Sequence, residues 1–328
     1  MTPKAGKLIV ADLEKRSEKG LEFAKQMLQA EKIEYPKLRK ALEHYLAHWS
    51  DFTHPGLFST ACEAVDGDLE TVVPTQAAMA IISAAFDVHD DIIDKSETKH
   101  DVPTVYGKFG FEMALLLGNA FLIEGFKLFI DTTKTLSKKK GTMALEILKK
   151  LLFEVGNAHA LEVGLKERKT VSPNDYMKII EMKSAGIEAD IVLGTLFGGG
   201  KTAEIEVSAR LGRILGILVL LREEFIDVFE IEELRQRIAV HDLPLPLLFA
   251  MQDQEGRRKI TSIVSKSKMT NSDLDKLLDI MLCSEHVGKL RNKMHLLIQE
   301  GLNLTKRVTN KRLRKRLKAL ISFMTKDL

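Results

Sequence analysis

The residues best suited to chemistry form a short acidic segment next to an apolar stretch. Asp90 and Asp94 are four positions apart, and Asp91 follows Asp90 directly. On a helix, this spacing puts the carboxylates a turn apart on one face, where they repel one another unless a cation joins them. Hard oxygen ligands of this kind favour Mg²⁺, which is usually shared between protein carboxylates and substrate phosphates.

A second acidic segment repeats the same spacing. Glu223, Glu224 and Asp227 follow a long apolar run, with two residues between the second acid and the third. Each segment alone is also compatible with a solvated helix end. Because both segments adjoin strongly apolar helices, we favour a paired site, in which nearly antiparallel helices face their acids across a cavity. Bridging magnesium ions would then hold a diphosphate between them.

Proline positions and composition predict the elements that carry these acids. Proline interrupts helix interiors, and the stretches 104–172, 174–243 and 247–328 contain none while being rich in helix-forming residues. The apolar spacing predicts an all-α protein, a single large helical bundle over residues 1–328. The predicted helices cover 7–32, 36–50, 56–66, 74–95, 110–135, 140–167, 173–198, 203–231, 243–254, 257–265, 271–284 and 286–327.

Composition argues against several other classes of protein. The 328 residues carry 49 Lys and Arg against 46 Asp and Glu, and a net charge of +3 gives no reason to expect a nucleic-acid partner. Cys62 and Cys283 lie far apart without a CxxC pattern, which fits a reducing cytoplasm better than a disulfide scaffold or a zinc site.

The N-terminal residues 1–20 lack a secretory apolar region. The longest nearly apolar runs, 114–123 and 214–221, are shorter than the roughly 20 residues that a membrane-spanning helix needs. We therefore expect a cytoplasmic protein without a transmembrane helix.

Together with further short motifs, the two acidic segments resemble the trans-isoprenyl diphosphate synthases of the polyprenyl synthetase family. The further motifs are Ala61-Cys62-Glu63-Ala64-Val65 followed by Gly67-Asp68, Pro103-Thr104, Lys183-Ser184 where the family has Lys-Thr, Gly212 and Gly216, and Leu245-Pro246-Leu247. The resemblance implies a bundle of the isoprenoid synthase type around a deep central cavity, usually as a dimer. It also implies that three Mg²⁺ ions bind the diphosphate of an allylic prenyl diphosphate, whose ionisation gives a cation that isopentenyl diphosphate attacks.

Residue by residue, the resemblance assigns roles to positions in this sequence. Lys183 would contact the allylic diphosphate and act in catalysis together with Asp90 and Asp94. Lys99, which stands where the family has the first of two arginines, and Arg222 would be further substrate-binding residues. The implied metal ligands are Asp90, Asp91, Asp94, Glu223, Glu224 and Asp227, with glutamate in place of two aspartates in the second motif.

Two residues about one turn before the first motif would line the pocket that sets product chain length. Ala85 leaves space in this pocket, whereas Phe86 could close it. An ordinary core aromatic is the alternative interpretation of Phe86. The sequence therefore predicts the place of the pocket but not the length of the product.

The departures from the family pattern concentrate where isopentenyl diphosphate binds. In residues 49–55, Asp51 stands for the family's lysine, Phe52 for its first arginine and His54 for its second. His100 replaces the second arginine after the first motif. The lost cations and the added Asp51 disfavour a second diphosphate, because a phosphate site needs charge-assisted donors. His54 and His100 remain as candidate substrate-binding donors.

Three functions are compatible with this pattern. The first is a magnesium-dependent prenyltransferase of isoprenoid biosynthesis that couples an allylic prenyl diphosphate to isopentenyl diphosphate or to a different acceptor. The second is a non-catalytic or regulatory subunit of a heteromeric polyprenyl diphosphate synthase, so we expect a homodimer or a heteromer with a related synthase. The third is a class I terpene-synthase-like enzyme, which the small number of aromatic residues disfavours. The basic run 311–318 is interpreted as a solvated helix, with contact to a membrane surface as the alternative.

Overall fold

The computed structural model describes residues 3–99, 101–166, 168, 171–239, 242–266, 269–308 and 311–324. Its regular elements are almost all helices, as predicted for an all-α protein, with one short β-hairpin. The elements in chain order are α1 (Pro3–Ala30), α2 (Pro36–His48), α3 (Thr53–Ala64), α4 (Leu69–Asp94), β1 (Thr98–Lys99), β2 (Val102–Pro103), α5 (Val105–Phe109), α6 (Phe111–Thr133), α7 (Lys138–Lys166), α8 (Pro173–Lys183), α9 (Ala185–Phe197), α10 (Thr202–Phe229), α11 (Ile231–Ala239), α12 (Leu245–Ala250), α13 (Gln254–Val264), α14 (Asn271–Cys283), α15 (Glu285–Thr305) and α16 (Lys311–Phe323).

Two predicted helices are each divided in two. The prediction 173–198 was wrong at Ser184, where α8 ends and α9 begins. The Ser184 hydroxyl donates to the carbonyl oxygen of Glu181 at 2.7 Å, and Ser184 packs closely against Gly216 of α10. Such local side-chain bonds compete with helix continuation. The predicted helix 286–327 is likewise divided, into α15 and α16. The predicted helix 203–231 agrees closely with α10, whereas α11 was not predicted.

The buried apolar side chains form two clusters that meet at α9. One cluster joins α8, α10, α12, α14 and α15, and the other joins α2, α4, α6 and α9. Ile187 and Ile191 belong to the first cluster, whereas Val192 and Leu193 belong to the second. Because α9 has apolar residues on several sides, it packs between the two groups of helices.

The connection after α4 turns the chain back toward that helix. Lys95 ends α4 in the left-handed conformation, with φ 54°, and Asp101 has φ 63° at the tip of the hairpin. Lys99 pairs with Val102 in this hairpin. Its ammonium group consequently lies 2.5 Å from the carboxylate of Asp87 on α4.

Two helices, α4 and α6, are long and apolar enough to span a membrane when length and composition alone are considered. In α4, 67% of the most apolar window is buried within the protein, as in a central helix of a bundle. In α6, the buried share is 39%. The expectation that the chain has no transmembrane helix stays a prediction.

Gly194 allows α9 to approach α3 closely. A Cβ atom at this position would lie 2.2 Å from the carbonyl oxygen of Phe58. We expect Gly194→Ala to lower the free energy of unfolding by about 2 kcal/mol, because the helices must move apart. Gly156→Ala is a matched control, since a Cβ on this exposed residue of α7 meets no described atom within 4 Å outside its own helical turn. The control should leave stability unchanged or raise it by about 0.5–1 kcal/mol. Equilibrium denaturation measures both changes, and equal effects would contradict the close packing.

Candidate active site

Both acidic clusters lie at the C-terminal ends of long, largely buried helices. Asp90, Asp91 and Asp94 occupy the last turns of α4, which ends at Asp94. Glu223 and its neighbouring acids occupy the last two turns of α10, which ends at Phe229. The C-terminal end of a helix carries partial negative charge, so carboxylates there are disfavoured unless other elements supply cations.

A histidine and a lysine from other elements contact the acids of α4. Nδ1 of His159, on α7, lies 2.8 Å from Oδ1 of Asp90. Nζ of Lys99, on β1, lies 3.2 Å from Oδ1 of Asp91. Desolvation raises the pKa of Asp90, but the contact with His159 outweighs it and holds the pKa below its usual value. Desolvation raises the pKa of Asp91 to about 6, despite the opposing charge of Lys99.

Lys183, the last residue of α8, lies beside the same cluster. Its ammonium group is 2.5 Å from Oε2 of Glu162, on α7. Desolvation lowers the pKa of Lys183, but Glu162, together with Asp90 and Asp94, raises it above its usual value. The structure therefore brings Lys183 together with the first acidic cluster.

The second cluster has a different arrangement, because Glu224 is fully engaged within the protein. Tyr176 donates to its Oε1 at 2.9 Å, and the backbone N–H of Leu245 donates to its Oε2 at 2.7 Å. Arg237 donates to both oxygens at 3.2 Å. The sequence predicts Glu224 as a metal ligand, whereas in this structure both of its oxygens accept hydrogen bonds from the protein.

Arg237 also reaches the third acid of the second cluster. Its Nη1 donates to Oδ2 of Asp227 at 2.6 Å, and its Nη2 donates to the hydroxyl of Tyr176 at 2.9 Å. Its Nε lies 3.2 Å from Oδ2 of Asp242, without the alignment of a hydrogen bond. Burial lowers the pKa of Arg237, but Glu224 and then Tyr176 raise it above its usual value, so the buried guanidinium stays charged.

Glu223 is the most exposed acid of the second cluster. The surrounding protein nevertheless raises its pKa to about 7, first by desolvation and then through Asp227 and Glu224. A side chain with both properties lies in a solvent-filled recess rather than on a convex surface. Among the second acids, Glu223 is thus the best placed to meet a ligand.

A series of neighbours connects the two clusters. The recess at Glu223 lies near His54, whose charge lowers the pKa of that glutamate. His54 in turn packs against Gly186, where an added Cβ would lie 3.4 Å from its Cε1. Gly186 lies in the first turn of α9, three residues after Lys183. These neighbours thus lead from Lys183, beside the first cluster, through the junction between α8 and α9 toward Glu223 of the second cluster.

The segment that replaces the family's basic motif carries a paired histidine and an extra acid. Nδ1 of His54 donates to Oδ2 of Asp190 at 2.5 Å, and Asp190 is 1% exposed. Desolvation lowers the pKa of His54, but Asp190 and Asp51 raise it, to about 10. Asp51 accepts hydrogen bonds from the Ser83 hydroxyl at 3.2 Å and from the backbone N–H of Thr53 at 3.1 Å. The charge of the protonated His54 is thus already matched by Asp190.

The remaining predicted residues have varied positions. Arg222 stacks on the ring of Phe323 in α16, with its Cζ 4.8 Å from the ring centroid, so it is directed away from the first cluster. Ala85 is fully buried, and Phe86 is partly buried in the apolar cluster of α4 and α6. His100 lies outside the described residues.

Sequence analysis missed four residues that the structure places at these clusters. They are His159, Glu162, Asp190 and Arg237. Asp190 interrupts the apolar run of α9, and a charged residue in such a run requires a buried partner. That signal was present in the sequence, whereas the partner of each group depends on contacts between distant elements.

The first cluster fits Mg²⁺ that is shared with a bound anion. Within the described part of the chain, no three His, Cys, Asp or Glu side chains converge closely enough to hold a metal ion by themselves. Oδ1 of Asp90 is buried and has no aligned hydrogen-bond donor among the described residues. Mg²⁺ usually takes only one or two protein carboxylates and completes its coordination with water and phosphate oxygens. Asp90 and its neighbours on α4 are suited to that mode.

An apolar cavity of about 300 Å³ lies between α3, α9, α10 and α16. Its walls include Leu57, Ala61 and Leu211, and none of its lining residues belongs to either acidic cluster. This cavity is therefore separate from both acidic clusters. The resemblance implies a different, deep central cavity between those clusters.

Comparisons with known proteins agree with the fold and the motifs. A family model described as polyprenyl synthetase matches residues 35–281. A short chain isoprenyl diphosphate synthase of Methanothermobacter thermautotrophicus is 26% identical over 245 residues, which cover 74% of this chain and 71% of that relative.

Two solved structures show the same fold. The crystal structure of geranylgeranyl pyrophosphate synthetase from Pyrococcus horikoshii has a TM-score of 0.85 and 21% identity, and the match covers 98% of this chain and 99% of that one. A geranylgeranyl pyrophosphate synthase from Corynebacterium glutamicum, complexed with isoprenyl diphosphate and magnesium, has a TM-score of 0.82 and 21% identity. That match covers 96% of this chain and 99% of that one.

The raised pKa of Glu223 predicts a pH dependence of stability in the metal-free protein. An unfolded glutamate ionises near its ordinary value of 4.5, but the folded protein holds this proton up to about pH 7. Folding therefore takes up a proton in this window, and the contribution of Glu223 to stability falls as pH rises from about 4.5 to about 7. Urea denaturation in EDTA between pH 4.5 and pH 8 should show a flatter profile for Glu223→Gln than for the wild type. Glu206→Gln, at an exposed position on the same helix, should keep the wild-type slope. Parallel profiles for Glu223→Gln and the wild type would contradict the raised pKa of Glu223.

Proposed function

The chain belongs to the polyprenyl synthetase family, and from this premise we propose that it is a magnesium-dependent prenyltransferase that binds and ionises an allylic prenyl diphosphate. The observation that carries the proposal is the position of Lys183. This lysine is paired with Glu162 and lies beside the carboxylates at the end of α4. It therefore provides a donor to an anion that divalent ions bind to those carboxylates.

Magnesium ions bound with the substrate would neutralise the diphosphate and join it to the carboxylates of the protein. We assign this role to Asp90, Asp91 and Asp94 on α4, and to Glu223 across the recess. The magnesium in the complexed relative from Corynebacterium glutamicum supports the choice of metal.

The side chains of this protein favour departure of the diphosphate. When the bond between C1 and the diphosphate oxygen breaks, the electron pair leaves with that oxygen, and a cationic donor stabilises the added charge. Lys183 supplies such a donor, and Glu162 fixes its position. The pKa of Lys183 lies above its usual value, so the donor stays charged through the neutral pH range.

The residues around His54, where the family binds isopentenyl diphosphate, favour an acceptor other than a second diphosphate. Asp51 and Asp190 contribute two negative charges near His54, whose single positive charge is already paired. An anionic diphosphate gains little from such surroundings. We therefore propose that the cation is coupled either to an altered acceptor or to isopentenyl diphosphate held by other residues.

Two residues of α4, about one helical turn before the acids, are the candidates for setting the length of the product. Ala85 is buried in the core, whereas Phe86 is partly exposed on the same helix. We propose that Phe86 lies at the wall of the prenyl pocket.

The activity is tested by incubating the purified chain with Mg²⁺ and allylic diphosphates, with and without isopentenyl diphosphate. We expect release of inorganic diphosphate that requires Mg²⁺, and loss of about 100-fold in kcat for Lys183→Met, as for removal of one donor to a developing oxyanion. Lys178→Met is the control, because it removes an exposed lysine from the same helix. Elongated prenyl products would identify isopentenyl diphosphate as the acceptor. Absence of diphosphate release under all conditions would contradict the proposal and favour a non-catalytic subunit.

We also propose that the protein pairs with a second copy of itself through α6 and α7. Exposed large apolar side chains are concentrated on these consecutive helices, and contiguous apolar surface of this kind marks an interaction site. The residues are Phe111, Leu115, Leu116, Ile123 and Ile130 on α6, and Met143, Leu145, Phe153, Leu161 and Val163 on α7.

Ile123 provides a test of this interface because its exposed fraction is 69%. In a symmetric dimer, Ile123→Glu introduces two buried charges, and we expect the dissociation constant to rise by at least about tenfold. Leu296→Glu, at a residue 72% exposed on α15, should leave the dimer intact. Sedimentation equilibrium measures both. A monomeric wild type, or equal effects of the two variants, would contradict the proposed interface.

A further inference from the structure

The guanidinium of Arg237 lies within the second acidic cluster. It bridges two acids of α10, Glu224 and Asp227, with Nη1 hydrogen-bonded to both. Arg237 is 8% exposed, so this bridge is shielded from solvent. One protein cation thus joins two carboxylates that the resemblance assigns to divalent metal.

The neighbours of the guanidinium hold it in this position. Tyr176, on α8, accepts from Nη2 of Arg237 and donates to Glu224, which closes a ring of three side chains. Asp242 lies 3.2 Å from Nε on the other edge. The backbone N–H of Leu245 fixes the same oxygen of Glu224 that Arg237 contacts through Nη2. The bridge is therefore supported by α8, by α11 and by the segment that begins α12.

A divalent ion would need the oxygens that the guanidinium already uses. Mg²⁺ binds carboxylate oxygens at about 2.0–2.1 Å and requires nearly octahedral geometry. Nη1 of Arg237 donates to Oδ2 of Asp227 at 2.6 Å and to Oε1 of Glu224 at 3.2 Å, so an ion bound by both acids would have to displace it. Moving the arginine away would leave a buried charge without its partners, which is strongly unfavourable.

The first cluster has no comparable bridge in its described contacts. Lys99 contacts Asp91, and His159 lies near Asp90 without hydrogen-bond alignment at Oδ1. Lys183 pairs with Glu162 rather than with an acid of this cluster, and Lys99 is substantially exposed. The two clusters of equal spacing therefore differ in how their cations are placed, because in the described contacts only the second has a buried cation that bridges two of its acids.

We propose that Arg237 is a built-in replacement for one of the divalent ions. The second cluster then offers Glu223, and not Glu224, to metal, and the protein binds fewer than three Mg²⁺ ions together with a diphosphate. This inference rests on the proposed function, because it concerns how the same diphosphate is bound. Arg237 acts as a positioning residue, which fixes part of the positive charge of the site in the protein itself.

Counting bound ions tests the proposal without measuring catalysis. The probes are Mn²⁺, whose free concentration is followed by electron paramagnetic resonance, and saturating inorganic diphosphate. We expect at most two Mn²⁺ per wild-type chain and one more in Arg237→Gln. Arg235→Gln is the matched control, because Arg235 lies on the same helix but contacts Met269 and Asn271 instead of the acids. It should keep the wild-type count.

A second variant guards against misfolding of Arg237→Gln. Glu224→Gln/Arg237→Gln removes the buried charge pair together, leaves Asp227 without its guanidinium, and should also gain one ion. Three ions in the wild type, or no gain in whichever of the two variants folds, would overturn the inference. Absence of any diphosphate-dependent ion in the wild type would overturn the proposed function, yet a gained ion in the variants would still support the role of Arg237.

Discussion

Repulsion among carboxylates at the C-terminal ends of two buried helices is the constraint on which the rest of this site depends. α4 and α10 each end in three acids, where the partial charge of the helix terminus adds to their mutual repulsion. A folded chain can keep such groups only if other elements bring cations to them. The hairpin, α8 and α11 each contribute a lysine or an arginine, and α7 contributes His159, so side chains from four other elements surround the acids.

The balance is achieved differently at the two helices, and this difference has functional meaning. At the end of α4, the protein cations come from the hairpin and from α8, and a buried oxygen of Asp90 has no aligned donor among the described residues. At the end of α10, one buried arginine bridges Glu224 and Asp227, and Glu223 is the most exposed of the three acids. A diphosphate with its metal ions would therefore be held mainly by the first cluster and Lys183. In the segment where the family binds isopentenyl diphosphate, the positive charge of His54 is paired with Asp190, and Asp51 adds a negative charge. One anion is favoured in this site and a second one is not.

Spacing along the chain was sufficient to predict the all-α fold and the acids at the ends of α4 and α10, because both depend on local periodicity. The assignment of Lys183 to the allylic diphosphate came from the family resemblance rather than from spacing, and the structure places this lysine beside the first acids. The break at Ser184 was missed because it depends on close packing against Gly216, which is 32 residues away in the chain. The contacts of Glu224 were missed for a similar reason. An acid in a repeated motif looks the same whether a metal or an arginine from another helix neutralises it, and Arg237 carries no local signal that distinguishes the two.

The most direct measurement is a crystal structure of the protein with Mg²⁺ and an unreactive thio analogue of an allylic diphosphate, in which sulfur replaces the oxygen that bridges C1 and the diphosphate. The account predicts one diphosphate between the acids of α4 and Glu223, within hydrogen-bond distance of Lys183, with Arg237 still joined to Glu224. It also predicts that no second anion binds beside Asp51 and His54. A diphosphate bound away from Asp90 and Lys183, or a second one bound beside Asp51, would contradict it.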